Sequence, residues 1–300
     1  MSLPKIIAII GPTASGKTKL ALHLAKKFNG EIISADSRQI YKGMDIGTSK
    51  ATKKEREQIK HYLIDVQNPS QQYTVAQFKT DGINAIKKII RKGKVPLLVG
   101  GTGLYISSIV NNLEIPKVKP NQRLRTKLEK DVKEKGLFYL FGKLTVLDPD
   151  ASYAVDSKNP RRVIRALEVA METGKPFTAQ KSKGPKLFDT LILGLNPKAE
   201  ALEKNIEKRL EAMIESGLVG EVRQLVKIYG QAPKAFHSIG YNEVIELLKG
   251  KIDLQQAMAL IKKNTRRYAK RQMTWFRKMP VVWIRDQKEA ERETEKFLRN

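Results

Sequence analysis

A chain of 300 residues with 41% hydrophobic and 29% charged side chains can bury a sizeable core, as one large domain or as one domain carrying an insertion. It has no cysteine, which excludes disulfides, thiolate metal sites and cysteine nucleophiles, and its three histidines (His23, His61 and His237) are too scattered for a metal cluster. Lys and Arg number 57 against 31 Asp and Glu, a formal net charge of +26. Such an excess repels itself, and a polyanionic partner such as nucleic acid would offset it.

The first third alternates strand and helix signals, which predicts a parallel α/β sheet. The N-terminus runs directly into the buried-strand pattern "KIIAII" (5–10) with no small-residue cleavage site, so a signal peptide is not expected. "KTKLALHLAKKF" (17–28) reads as a helix, with Leu20, Leu24 and Phe28 on one face and Asn29-Gly30 closing it. "EIISAD" (31–36), "HYLIDV" (61–66) and "VPLLVG" (95–100) are expected as further strands, the last after the helical "VAQFKTDGINAIKKIIRKG". Near residue 114 the composition changes: "IPKVKPNQRLRTKLEKDVKEKG" is dense in charge and offers no strand. A short helix, an Asn-Pro break and a helix starting at Pro160 follow. Strand character returns at "DTLILGL" (189–195), then a long helix to Gly217 and a late strand "PVVWIR" (280–285). These elements predict an α/β core over 1–114 and 188–300, interrupted by a helical insertion over 115–187. No run approaches the ~20 apolar residues of a membrane span, and a cytoplasmic setting with no membrane partner is expected.

"GPTASGKT" (11–18) meets the phosphate-loop pattern at Gly11, Gly16, Lys17 and Thr18, between a strand and a helix, where that loop must lie. Glycines let consecutive N–H groups turn inward, the helix N-terminus adds positive potential, Lys17 adds a point charge, and Thr18 is the expected Mg²⁺ ligand. An ordinary nucleotide hydrolase of this type also needs a strand-end Asp for the metal, and Asp65 of "YLID" is the candidate. Asp36, at the carboxyl end of the second strand, would face the crevice where open α/β sheets bind ligands. There it serves either as a general base or as a turn or capping carboxylate.

The chain resembles the bacterial type of tRNA dimethylallyltransferases (tRNA isopentenyltransferases) over nearly its whole length. The resemblance rests on "GPTASGKT", "ADSRQIYKGMDIGT", "HYLIDV", "GGTGLY", "NPRRVIRALEV", "GLVGEV", "SIGYNE" and "TRRYAKRQMTWFR", in that order. It implies a phosphate-loop α/β fold with a helical insertion that grips the anticodon stem-loop, and no C-terminal zinc finger. It implies transfer of a dimethylallyl group from dimethylallyl diphosphate to N6 of adenine 37 of tRNA, with Mg²⁺ as cofactor. By that resemblance Gly11, Thr13, Ala14, Ser15, Gly16, Lys17 and Thr18 hold the diphosphate, with Arg209 reaching it. Asp36 takes the N6 proton and Thr102 positions the adenine or the leaving diphosphate. Arg209 alternatively reads as a solvated helix-face charge.

For tRNA contact the resemblance points to Asp36, Ser37, Arg38, Gln39 and Thr102 around an extruded purine. It adds Arg123, Pro160, Arg161, Arg162, Val163, Ile164 and Arg165 in the insertion, then Gly240, Tyr241, Arg267, Lys270 and Arg271. The chain departs from the family pattern at Pro160, Arg161 and Ser238, all at expected contacts. "KKNTRRYAKRQMTWFRK" (262–278) holds eight basic residues and no acidic one, with Lys263, Arg267, Lys270, Thr274 and Arg277 on one helical face. Tyr268 and Trp275 in it serve base stacking or core packing. A monomer is the default expectation. The competing readings are a small-molecule kinase or ATPase, a basic RNA-binding module without chemistry, and a prenyltransferase acting on free AMP or ADP.

Overall fold

The apolar run Lys5–Ile10 forms β1, and Ile6 to Ile10 are all fully buried, as a central strand covered on both faces requires. The computed structural model describes residues 2–116, 118, 121–180 and 182–300. These divide into two compact units, Met1–Val110 with Lys186–Asn300, and Asn111–Pro185. The composition change near 114 lies four residues past that boundary.

In the first unit the chain runs through α1 (Lys17–Lys27), β2 (Gly30–Ser34), α2 (Lys53–Gln58), β3 (His61–Tyr62), α3 (Val75–Arg91), β4 (Val95–Gly100) and α4 (Gly103–Val110). After the second unit it resumes with β5 (Asp189–Leu195), α9 (Ala199–Glu215), α10 (Leu218–Tyr229), α11 (Tyr241–Leu248), α12 (Leu254–Phe276), β6 (Val282–Ile284) and α13 (Gln287–Arg299). The six strands are parallel in the order β3-β2-β4-β1-β5-β6. The chain leaves β1 toward β2 on one side and reaches β5 on the other. The carboxyl ends of β1, β2 and β4 therefore open on one crevice, which receives residues 11–18, 35–36 and 100–102. Gly100 permits the close approach there, since a Cβ would lie 2.2 Å from the Ala35 carbonyl oxygen.

Three strands end before their patterns predict, β2 at Ser34 rather than Asp36. "HYLIDV" pairs with β2 only through His61 and Tyr62, because Leu63 and Asp65 adopt positive φ of 60° and 57° and turn the chain out of the ladder. "PVVWIR" contributes only Val282–Ile284.

The charge-dense segment that follows residue 120 is helical. The second unit comprises α5 (Gln122–Lys135), α6 (Leu137–Leu147), α7 (Ala151–Ala154) and α8 (Pro160–Thr173). Its core joins Leu128, Leu140, Leu144, Val163, Ile164 and Leu167. Asn159 caps α8 by accepting from the Arg162 N–H, and Pro160 occupies the first turn. Among the described residues no helix is long and apolar enough to cross a membrane.

Candidate active site

Thr13 to Thr18 line one end of a cleft of about 440 Å³ in the first unit, while Gly11, also expected to hold the diphosphate, lies outside its lining. Gly16 takes φ of 89° as the N-cap of α1 with no side-chain cap, so the first N–H groups of that helix point at the cleft without intrahelical acceptors. Ser15 Oγ is buried and finds no partner among the described residues. A donor set of this kind suits an anion.

Three cationic or polar side chains close on the loop, one of its own and two from α9. Lys17 Nζ donates to the Pro12 carbonyl at 2.6 Å. Arg209 of α9 donates to Thr13 Oγ1 at 2.9 Å, and Asn205, one turn earlier, donates to the Ala14 carbonyl at 3.2 Å. Arg209 is thus no solvated surface charge, although its neighbour Lys208 also lines the cleft. Burial, then the Arg209 guanidinium, pull Lys17 down to about 7 against the opposing attraction of Asp36. Burial likewise lowers Arg209, again opposed by Asp36. An arriving dianion would reverse both trends.

Asp36 lines the same cleft, just beyond the end of β2. Its Oδ1 accepts from the Arg38 N–H at 2.8 Å and the Gln39 N–H at 3.4 Å, while Oδ2 accepts no hydrogen bond among the described residues. The two readings of this residue therefore coexist: one oxygen shapes the turn and the other is available to a proton. Thr102 follows the lining residue Gly101 and is tied to both neighbours of Asp36, taking the Ser37 N–H on Oγ1 at 3.1 Å and donating its own N–H to the Ala35 carbonyl at 3.2 Å. Tyr268 of α12 lies beside Thr102 and Gln272, and burial followed by the Asp36 charge pushes its hydroxyl up to about 12. It stays a protonated donor in the cleft wall.

Asp65, the candidate metal carboxylate of an ordinary nucleotide hydrolase, is taken up elsewhere. It pairs with Lys50 at 2.5 Å and Arg56 at 2.9 Å and does not line the cleft. No group of three or more His, Cys, Asp or Glu forms a metal cage among the described residues. Thr18 and the unpartnered Ser15 hydroxyl on the cleft nonetheless fit a cation of Mg²⁺ type, which keeps several waters and borrows oxygens from a bound phosphate.

Several expected tRNA contacts have other employment. The Arg38 guanidinium donates to the carbonyls of Lys234, Ala235 and His237, which ties the 36–39 turn to the turn before α11. Gln39 lines the cleft but accepts from the Ser34 hydroxyl and donates to the carbonyls of Thr48 and Ser49. Tyr241 is fully buried and donates to Glu221, while the buried Gly240 begins α11 and gives its N–H to Glu243. The Glu221 carboxylate also takes the N–H groups of Asp45, Ile46 and Gly47. "GMDIGT", "GLVGEV" and "SIGY" thus meet in one structural knot, and Tyr241 is core.

In the second unit Val163 and Ile164 are likewise core, because they occupy the apolar face of α8. Arg165 and Arg125 both bind the fully buried Glu168, so Arg165 is not a free cation. Pro160, Arg161 and Arg123 are exposed, as is Arg162, which lies 3.9 Å from Asp156. On α12, Arg267, Lys270 and Arg271 are exposed, Arg271 against the Tyr268 ring. The acids missing from the local sequence of α12 come from α9: Glu207 pairs with Lys262 and Glu203 with Arg266. Trp275 donates to Ser107 and covers Gly103, a packing role. Gln272, which carried no weight in the sequence reading, is the buried residue that holds the Thr13 N–H at 2.8 Å and the Gly101 carbonyl at 2.8 Å.

Comparison with known proteins agrees with this arrangement. A family model described as IPP transferase matches residues 39–279. A tRNA dimethylallyltransferase of Acetivibrio thermocellus is 46% identical over 304 residues, covering 99% of this chain and 96% of its own. One from Carboxydothermus hydrogenoformans is 44% identical over 299 residues, covering 98% and 96%. Among solved structures, the full-length tRNA isopentenylpyrophosphate transferase of Bacillus halodurans superposes with a TM-score of 0.72 at 38% identity, covering 98% of this chain and 95% of its own. A eukaryotic dimethylallyltransferase described as acting on tRNA does so at 0.81 and 32% identity, covering 99% and 80%. With its phosphate loop and carboxylate in one cleft, and with these relatives over its whole length, the chain belongs to the IPP transferase family, that of the tRNA dimethylallyltransferases.

Proposed function

We propose that the protein transfers the dimethylallyl group of dimethylallyl diphosphate to N6 of adenine 37 in tRNA and releases diphosphate. The observation that carries the reading is Asp36 in the cleft that the phosphate loop lines, with an Oδ2 that accepts no hydrogen bond among the described residues. A phosphate loop alone is equally at home in a kinase. A base beside it, with the candidate metal Asp65 bound by Lys50 and Arg56, favours a reaction in which the diphosphate leaves whole.

Adenine N6 is a weak nucleophile, because its lone pair is delocalised into the ring. Its attack on C1 of the allylic substrate forms the N6–C1 bond and breaks the C1–O bond to diphosphate. The proton on N6 passes to Asp36, whose Oδ1 is already fixed by two N–H groups. The negative charge that develops on the leaving oxygen meets Lys17, Arg209 and the α1 N-terminus. Mg²⁺, held by Thr18 and the substrate's own oxygens, would add charge to that stabilisation. Tyr268 presents its hydroxyl on the cleft wall, and Thr102 beside it holds the Ser37 N–H next to Asp36, where the purine would enter. A base at this depth must first be extruded from its stack.

The second unit is assigned to the anticodon stem-loop, with exposed Arg123, Arg161 and Arg162 as phosphate contacts. The exposed Arg267, Lys270 and Arg271 of α12 form a second basic surface. Purified protein incubated with Mg²⁺, dimethylallyl diphosphate and an unmodified tRNA with adenines at positions 36, 37 and 38 should yield prenylated adenosine at position 37. Absence of that nucleoside from the digested tRNA would reject the reading.

A further inference from the structure

The phosphate loop and the "GGTGLY" turn end two adjacent strands, yet neither holds the other's crest through the sheet ladder. The bond between them comes from 259 residues away in sequence. Gln272 lies in the last two turns of α12, is 5% exposed, and bonds two backbone groups with its carboxamide, which also meets the Tyr268 hydroxyl. Its Oε1 accepts the Thr13 N–H at 2.8 Å, and its Nε2 donates to the Gly101 carbonyl at 2.8 Å. Thr13 is also the residue whose hydroxyl takes Arg209, and Gly101 precedes Thr102, whose hydroxyl holds the Ser37 N–H beside Asp36. One planar amide therefore spans the half of the cleft that receives the diphosphate and the half that receives the nucleophile.

We propose that Gln272 is a positioning residue that sets the phosphate-loop crest in register with the Thr102 turn, so that the leaving group and the general base are aligned. This rests on the proposed prenyl transfer, but its first consequence concerns diphosphate binding alone. The Thr13 N–H belongs to the loop expected to hold the diphosphate. Gln272 withdraws it from that set and uses it to fix where Thr13 Oγ1, and through it Arg209, stand. The pair needs a side chain that accepts and donates at once: a carboxylate cannot donate to the Gly101 carbonyl, and a thioether supplies neither partner. Close packing excludes a bulkier arrangement, since a Cβ at position 101 would lie 2.2 Å from Gln272 Nε2.

The test uses Gln272→Met, which keeps the volume and removes both bonds, and Gly101→Ala, which leaves Gln272 in place but displaces its amide. Binding of inorganic diphosphate with Mg²⁺ is followed by calorimetry, and prenyl transfer by kcat and by KM for each substrate. Both variants are expected to bind diphosphate about tenfold more weakly, to lose at least tenfold in kcat, and to keep tRNA affinity within about twofold. A merely structural residue would lower the melting temperature and weaken both substrates together, and that pattern would overturn the proposal. Wild-type diphosphate affinity in either variant would overturn it as well. If the wild-type protein binds diphosphate but transfers no prenyl group, the functional reading fails while the diphosphate measurement still judges Gln272.

Discussion

Asp36 and Lys17 face each other across one cleft, and their chemistry separates at the level of single atoms. Asp36→Ala should abolish prenyl transfer, by at least about a thousandfold, and leave tRNA affinity within a few-fold. The loss removes both the base and the acceptor that shapes the 36–39 turn. Asp36→Asn, which keeps an acceptor for that turn, should be as inactive; measured rates of both variants against tRNA binding by filter retention check this. Lys17 leads to a pH dependence. In the free protein it titrates at about 7, below the ordinary lysine value of 10.5, because burial and Arg209 oppose its charge. A bound diphosphate favours the charged form, so binding above pH 7 takes up a proton and affinity falls as the pH rises past 7, by up to about tenfold per unit. The guanidinium of Lys17→Arg stays charged over that range, and its profile should lack this component. Calorimetric titration of both proteins between pH 6 and 9 isolates the lysine from the ionisation of diphosphate itself.

At the scale of elements, the family motifs divide into those that build the cleft and those that hold the cleft's walls. Tyr241 belongs to the second kind. It packs over Gly47, reaches Glu221, and so fixes the 45–49 turn whose carbonyls hold Gln39. Tyr241→Ala should cost about 3–5 kcal/mol of stability, read by urea unfolding, with any fall in activity tracking the fraction unfolded. Direct RNA contact by Tyr241 would instead weaken tRNA binding in fully folded protein. The buried strands β1 and β4 and the capped helices α3 and α8 were legible, because their patterns state their own environment: a continuous apolar run, or a cap followed by a periodic face. The end of β3 was not, since nothing in "HYLIDV" announces positive φ at Leu63 and Asp65. In the site, the phosphate loop and Asp36 could be placed from strand ends alone. Membership of a motif did not say which way a side chain points, so Arg38, Tyr241, Val163, Ile164 and Arg165 read as ligand contacts when their partners are carbonyls, core and a buried glutamate. Gln272 was illegible because its meaning arises only when α12 is laid against the loop.

For the molecule as a whole, the formal charge of +26 is the property that needs a partner. Some of it is internally balanced, as the pairs between α9 and α12 and around Glu168 show. Exposed Arg161 of α8 and Arg267, Lys270 and Arg271 of α12 form no ion pair of that kind among the described residues. If they meet tRNA phosphates, log Kd plotted against log salt concentration should be steep, and replacing Arg267, Lys270 or Arg271 by Ala should reduce the slope by about one each. A flat dependence would place the binding energy elsewhere. The central claim, that a phosphate loop here serves a leaving diphosphate and an RNA base, is tested most directly by supplying dimethylallyl diphosphate with tRNA, with AMP and with ATP in parallel. Prenylated adenosine at position 37 of tRNA, with none on AMP and no steady ATP hydrolysis, is the result expected. Turnover of ATP without prenyl transfer, or prenylation of AMP in preference to tRNA, would contradict it.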